Sequence, residues 1–223
     1  MAGRWIEVTA GDGFKGVAYR ADPAGKSRGG LVVAQEIFGV NAHIRSVCDG
    51  FAADGYLAVA PALFERYEQG VDLGYTPDDI ARGREIRGRV ATGEALADIA
   101  AARDVAAQAG KVGVIGYCWG GLLAWLAAAR VPGFACAVVY YGGGITEAIG
   151  EQPRCPVMGH FGEQDAMIPM AGIQALAAAH PSAQVFTYPA GHGFNCDQRG
   201  SFHAESAKLA RERSLTFLRQ HVG

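Results

Sequence analysis

The sequence predicts an α/β fold: a mostly parallel central sheet of about eight strands, covered by helices on both faces, in a single domain over residues 1–223. Three observations carry this. Continuous apolar runs such as Leu31-Val32-Val33-Ala34 have the composition of strands buried on both faces. Helical segments alternate with these runs, as a parallel sheet requires for its crossovers. Half of the 223 residues are hydrophobic, enough to bury a substantial core.

Trp5 to Thr9 and Phe14 to Arg20 flank Gly11-Asp12-Gly13, which suits a tight hairpin, so these runs form an antiparallel edge. A polar, glycine-rich connection, Ala21 to Gly30, leads into the strand at Leu31. After it comes Gln35-Glu36-Ile37-Phe38-Gly39-Val40-Asn41, with Asn41 placed to cap a helix over about His43 to Asp54. Gly55 stops that helix, and Leu57 to Ala60 is the next strand, closed by Pro61. Beyond an irregular stretch, Ala62 to Tyr75, Thr76-Pro77-Asp78-Asp79 reads as a helix start. Helices then run to about Ala109 with a break near Ala91-Thr92-Gly93, the first carrying Arg82, Arg84, Arg87 and Arg89. Val112 to Ile115, Ala135 to Tyr140, Pro156 to Phe161 and Gln184 to Tyr188 are the remaining strands. Leu122 to Ala129, Met170 to Ala179 and Ser201 to His221 are the remaining helices.

The formal charge of -2, from 20 basic and 22 acidic residues without long runs of either sign, points away from nucleic acid and membrane surfaces and toward a small soluble substrate. The first seven residues lack the apolar centre of a signal peptide, and no apolar run approaches membrane-spanning length, so a cytoplasmic location is expected, as a monomer or small homo-oligomer. Five dispersed cysteines without CxxC spacing argue against a disulfide framework or a zinc site; Cys48, Cys136 and Cys155 read as small buried hydrophobes.

Residues 113–121, Gly113-Val114-Ile115-Gly116-Tyr117-Cys118-Trp119-Gly120-Gly121, organise the rest. A strand stops, turns sharply at one cysteine and gives way to a helix, which is a nucleophile elbow with cysteine in place of serine. Side chains at Gly116 and Gly120 would collide with neighbouring strand and helix, and the helix N-terminus favours a thiolate and the oxyanion it creates. In an open α/β sheet reactive groups gather beyond the carboxyl ends of the strands. Three such ends carry Cys118, Asp165 and His192, the last between Gly191 and Gly193. Their chain order, nucleophile, acid, histidine, is that of α/β-hydrolases. Taken singly, the three would be a structural thiol, a loop-capping acid and an ordinary loop histidine. His43, His160, His180, His203 and His221 lack a comparable setting. Glu36, ending a buried central strand, either caps the next helix or lies in the cleft.

Gln35-Glu36-Ile37-Phe38-Gly39-Val40-Asn41, Gly116-Tyr117-Cys118-Trp119-Gly120-Gly121, Gly162-Glu163-Gln164-Asp165 and Gly191-His192-Gly193-Phe194 resemble, in matching order over nearly the whole chain, the motifs of the dienelactone hydrolases, or carboxymethylenebutenolidases. The resemblance implies a Cys118-His192-Asp165 triad, with Glu36 touching the thiol at rest and releasing it when substrate binds. It places the oxyanion hole on the backbone N–H groups of Ile37 and Trp119, the latter also required by its position after the nucleophile. It further implies two arginines for a substrate carboxylate. One matches Arg82 or Arg84; the other is expected about four residues after His192, where this chain has Cys196, with Arg199 nearby and Gly193 where relatives often carry serine.

The reaction expected from these parts is opening of a small lactone or ester. The thiolate attacks the carbonyl, a thioester forms on Cys118, and water hydrolyses it with His192 as base. This chemistry needs no metal or organic cofactor. The competing expectations are a broader carboxylesterase or thioesterase on the same scaffold, and a non-catalytic binding or redox-sensing protein that retains the fold.

Overall fold

The computed structural model describes residues 3–223; Met1 and Ala2, the start of the segment read above for a signal peptide, lie outside the described residues. Strands β1 (Arg4–Thr9), β2 (Lys15–Ala21), β3 (Gly29–Ala34), β4 (Tyr56–Pro61), β5 (Val112–Tyr117), β6 (Phe134–Tyr140), β7 (Val157–Gly162) and β8 (Gln184–Tyr188) form one sheet in the order β1-β2-β4-β3-β5-β6-β7-β8. β1 and β2 pair antiparallel to each other, as does β2 to β4, and every pairing from β4 to β8 is parallel. The burial follows the apolar pattern. Every residue of β3, β4, β5 and β7 is buried, whereas β1, at an edge, is mostly exposed or half-buried.

The helices are α1 (Ala42–Ala53), α2 (Pro77–Arg89), α3 (Thr92–Ala106), α4 (Trp119–Arg130), α5 (Met170–Ala179) and α6 (Ala204–His221). Successive residues of a strand face opposite sides of a sheet. A Cβ on Gly29 would meet Val222, just past α6, and one on Gly30 would meet Ala106 of α3, so β3 is covered on both faces. α1 and α6 are tied by Arg211 donating to Asp54 at 2.7 Å. No helix is long and apolar enough to cross a membrane among the described residues.

The helix starts follow the local chemistry. Asn41 Oδ1 accepts from the Ile44 N–H at 3.2 Å, and Thr76 and Asp79 form a reciprocal capping box ahead of Pro77. Two helix starts differ from expectation by three residues. α4 begins at Trp119, because the first turn forms directly against the elbow. α6 begins at Ala204, three residues later than Ser201, because His203 is its N-cap and accepts from the Ser206 N–H at 3.3 Å. Histidine is an uncommon cap, so the serine looked like the better start.

Candidate active site

Cys118 is the one residue between β5 and α4, and its backbone (φ 54°, ψ -119°) lies at positive φ, which costs a non-glycine residue about 1–2 kcal/mol. Close packing holds it there. A Cβ on Gly116 would run into the Gly120 carbonyl, and one on Gly120 into the carbonyls of Ala34 and Gln35. The Cys118 N–H donates to the Tyr140 carbonyl at 3.0 Å, and the Gly121 N–H to the Cys118 carbonyl at 2.9 Å. The elbow therefore needs both glycines for the reason expected. The residue is only 7% exposed, so the turn presents the thiol to a cleft rather than to bulk solvent.

His192 and Asp165, on the loops after β8 and β7, meet there. His192 Nδ1 and Asp165 Oδ2 are 2.7 Å apart, and Asp165 Oδ1 accepts from the Met167 N–H at 2.8 Å. Both carboxylate oxygens are thus held, which fixes the imidazole plane. His192 Nε2 is buried and pairs with no other side chain, and the Cys118 thiol lies beside the imidazole. Burial opposes protonation of His192, but the Asp165 hydrogen bond and the adjacent Cys118 outweigh it and push the imidazole pKa up to about 10. That favours an imidazolium beside Cys118. Trp119, at the first position of α4, has no intrahelical acceptor for its N–H, and the Ile37 N–H makes no backbone hydrogen bond.

Glu36 is fully buried at the end of β3 and serves as no helix cap, since Asn41 does that. Its partners are Arg199, whose Nη1 lies 3.2 Å from Oε1, and the Tyr75 hydroxyl, 3.5 Å from Oε2. The implied contact between Glu36 and the Cys118 thiol is not among its hydrogen bonds; an arginine holds the carboxylate instead. Arg199 comes from the turn after His192, and its guanidinium carbon lies 5.7 Å from the centre of the Phe38 ring and 5.8 Å from that of Tyr75. A Cβ on Gly193, which is at φ 77°, would collide with this guanidinium. A side chain at 193 would have to move the guanidinium and adopt a strained positive φ, so glycine there leaves Arg199 in its place beside Glu36. Cys196, where the resemblance expected the arginine, is buried beneath.

The cleft over Cys118 has a volume of about 450 Å³. Ile37, Phe38, Ile80, Trp119 and Met167 form its apolar walls, and Trp119 stacks on Phe64 at 5.5 Å. Its charged rim contains Arg84, Arg87 and Arg199 against Glu147. A larger hollow of about 560 Å³, lined by Trp5, Val40 and Arg45, holds no nucleophile. Of the two arginines left open by the sequence, Arg84 lines the cleft. Arg82 is a correction: Glu68 and Glu85 hold its guanidinium, the latter at 2.6 Å, and it does not line the cleft. Arg87 was not anticipated as a site residue, although it follows Arg84 by one helical step of i+3 and so shares its face. Among the other histidines, His160 is structural, bonded to the Tyr188 hydroxyl at 2.8 Å and Ser214 Oγ at 3.0 Å, with burial pushing its pKa down to about 3. Cys48 and Cys136 are buried as expected, whereas Cys155 is only partly so.

The sequence profile of the dienelactone hydrolase family matches residues 16–222. The carboxymethylenebutenolidase of Pseudomonas putida is 36% identical over 228 aligned positions, which cover 96% of this chain and 94% of that protein. A protein of Escherichia coli (strain K12) assigned as a carboxymethylenebutenolidase is also 36% identical, over 92% of this chain and 83% of its own length. The crystal structure of a Klebsiella pneumoniae subsp. pneumoniae MGH 78578 protein, assigned as a dienelactone hydrolase, superposes with a TM-score of 0.83 at 33% identity, covering 97% of this chain and 99% of that one. The sheet order, the cysteine elbow and these likenesses agree: the chain belongs to the dienelactone hydrolase family and is an ester-cleaving hydrolase with an α/β-hydrolase fold.

Proposed function

We propose that this hydrolase opens a small lactone or ester bearing a carboxylate, using Cys118 as nucleophile, His192 as base and acid, and Asp165 as the group that orients the imidazole. The observation that carries the reading is the short Asp165–His192 contact of 2.7 Å, in a cleft that also presents Cys118 and three arginines. The raised affinity of His192 for a proton suits the imidazole to receive the proton of Cys118 as the sulfur attacks. The substrate carboxylate pairs with Arg199, in competition with Glu36, and with Arg84 or Arg87 across the cleft. Its ring rests on the apolar walls, with the scissile carbonyl over Cys118.

Attack of the thiolate forms the carbon–sulfur bond, and the N–H groups of Ile37 and Trp119 stabilise the oxyanion. Collapse expels the ring oxygen, which takes a proton from His192 and stays tethered to the acyl chain. The neutral imidazole then removes a proton from water as it attacks the thioester, and Cys118 leaves as thiolate. A thiolate is both a good nucleophile and a good leaving group, which suits activated esters and lactones better than amides.

The test compares kcat/KM for a carboxylated lactone with that for a neutral ester of similar size. A preference of at least about tenfold for the anion is expected from one charge-assisted hydrogen bond. Equal values would overturn the anionic-substrate reading and leave a broad esterase. Brief exposure to an activated ester should add the acyl mass at Cys118, and turnover surviving Cys118→Ala would refute the nucleophile.

A further inference from the structure

We propose that Glu36, His43 and Cys196 form a binding site for a borderline-soft divalent cation of the Zn2+ type, entered from the face of the molecule where His43 and Asp197 line a second cleft. The three come from separate segments: the end of β3, the first turn of α1 and the loop after β8. All are buried, and their ligating atoms lie within 4.8 Å of one another. A carboxylate oxygen, an imidazole nitrogen and a thiolate make a donor set that Zn2+ accepts readily. Tetrahedral bonds of about 2.0–2.3 Å put such donors about 3.3–3.6 Å apart, so closure asks for at most about 1.5 Å of movement.

Two unpartnered buried atoms point to a ligand rather than to packing. His43 Nε2 makes no hydrogen bond although the residue is 4% exposed, and the Tyr141 hydroxyl, fully buried, has none either. An orphaned buried polar atom costs about 1–3 kcal/mol, which a cation would offset. His43 Nδ1 lies 3.4 Å from Asp197 Oδ1. A carboxylate on the far nitrogen is the arrangement that fixes a metal-binding histidine with its other lone pair directed inward. Glu36 Oε2 is held only by the Tyr75 hydroxyl at 3.5 Å, which leaves it lone pairs for a cation, while Arg199 occupies Oε1. With the thiol ionised, Glu36 and Cys196 together outweigh Arg199 by one negative charge. The second cleft, about 490 Å³ and lined by His43, Tyr117, Asn195 and Asp197, supplies an approach that does not cross the Cys118 cleft. As the metal–sulfur bond forms, Cys196 gives its proton to solvent.

Co2+ substitutes for Zn2+ and reports its ligands. Titration of the protein carrying Cys118→Ser, which removes the thiol beside His192, should give tetrahedral d–d bands and a thiolate-to-cobalt charge-transfer band. Adding Cys196→Ser should abolish the charge-transfer band, and adding His43→Gln should weaken Co2+ binding by at least about tenfold. Absence of both bands in Cys118→Ser, survival of the charge-transfer band after adding Cys196→Ser, or unchanged Co2+ affinity after adding His43→Gln would overturn the site. Should a double variant not fold, X-ray absorption on the Zn2+-loaded Cys118→Ser protein decides: one sulfur and at least one imidazole supports the site, and oxygen-only coordination refutes it. Because the readout is coordination and not hydrolysis, its outcome is separate from that of the proposed reaction.

Discussion

Replacing Arg199 by methionine keeps most of the side chain's length and removes its charge, leaving Glu36 as a carboxylate with 1% side-chain exposure and a long contact to Tyr75. Stripping one partner from a buried ion pair costs about 3–5 kcal/mol; Arg199 itself retains 19% side-chain exposure, which puts the expectation at the lower end, about 3 kcal/mol. For a chain of this size, about 2–4 °C of melting temperature per kcal/mol makes that a fall of about 6–12 °C. Glu36→Gln alone should cost about 1 kcal/mol, since Arg199 can turn toward water. The double variant should resemble Glu36→Gln, giving a coupling of about 2–3 kcal/mol in urea denaturation. The same Arg199→Met protein should lose about 10–100-fold in kcat/KM toward a carboxylated lactone and little toward a neutral ester. Additive stabilities within about 0.5 kcal/mol would show that the pair is not coupled and refute the role assigned to Arg199.

Two further outcomes are expected. The folded-state pKa of His192, raised to about 10 from an ordinary value near 6.5, makes protonation stabilising below about pH 6.5, and that contribution is lost as pH rises toward 10. Denaturation midpoints should fall over this interval. Asp165→Asn should flatten the fall and lower kcat by about 10³–10⁴-fold, so an unchanged slope would contradict the coupling. On α2, Arg84→Gln or Arg87→Gln should raise KM for an anionic substrate several-fold while Arg82→Gln leaves it unchanged; steady-state kinetics giving Arg82 the larger effect would show the wrong face had been chosen.

The parts of the site that follow chain-local rules were legible before any coordinates. Cys118 sits where a strand, two close-packed glycines and a helix leave one geometry, and Asp165 and His192 follow strand ends. The strands themselves were legible because β3, β4 and β5 are apolar throughout. What depended on long reach was not. Arg199 was a candidate by position alone; its pairing with Glu36 and its approach to Gly193 join positions that no spacing rule connects. Arg82 and Arg84 differ by which way a helix face turns, and the deciding partner of Arg82, Glu68, lies in the irregular loop before α2. His43 looked like an ordinary helix residue, because its neighbours Glu36 and Cys196 arrive from other segments.

The loop between β8 and α6 carries both His192 and Arg199, so the proposed proton donor and the proposed anion selector hang from one short tether. Natural variation that retunes substrate preference there cannot leave the base untouched. Transplanting residues 189–203 as a block into a relative should move selectivity and proton-transfer geometry together, whereas piecemeal exchange, such as serine at 193 with Arg199 retained, should displace the guanidinium from Glu36 before it produces a new preference.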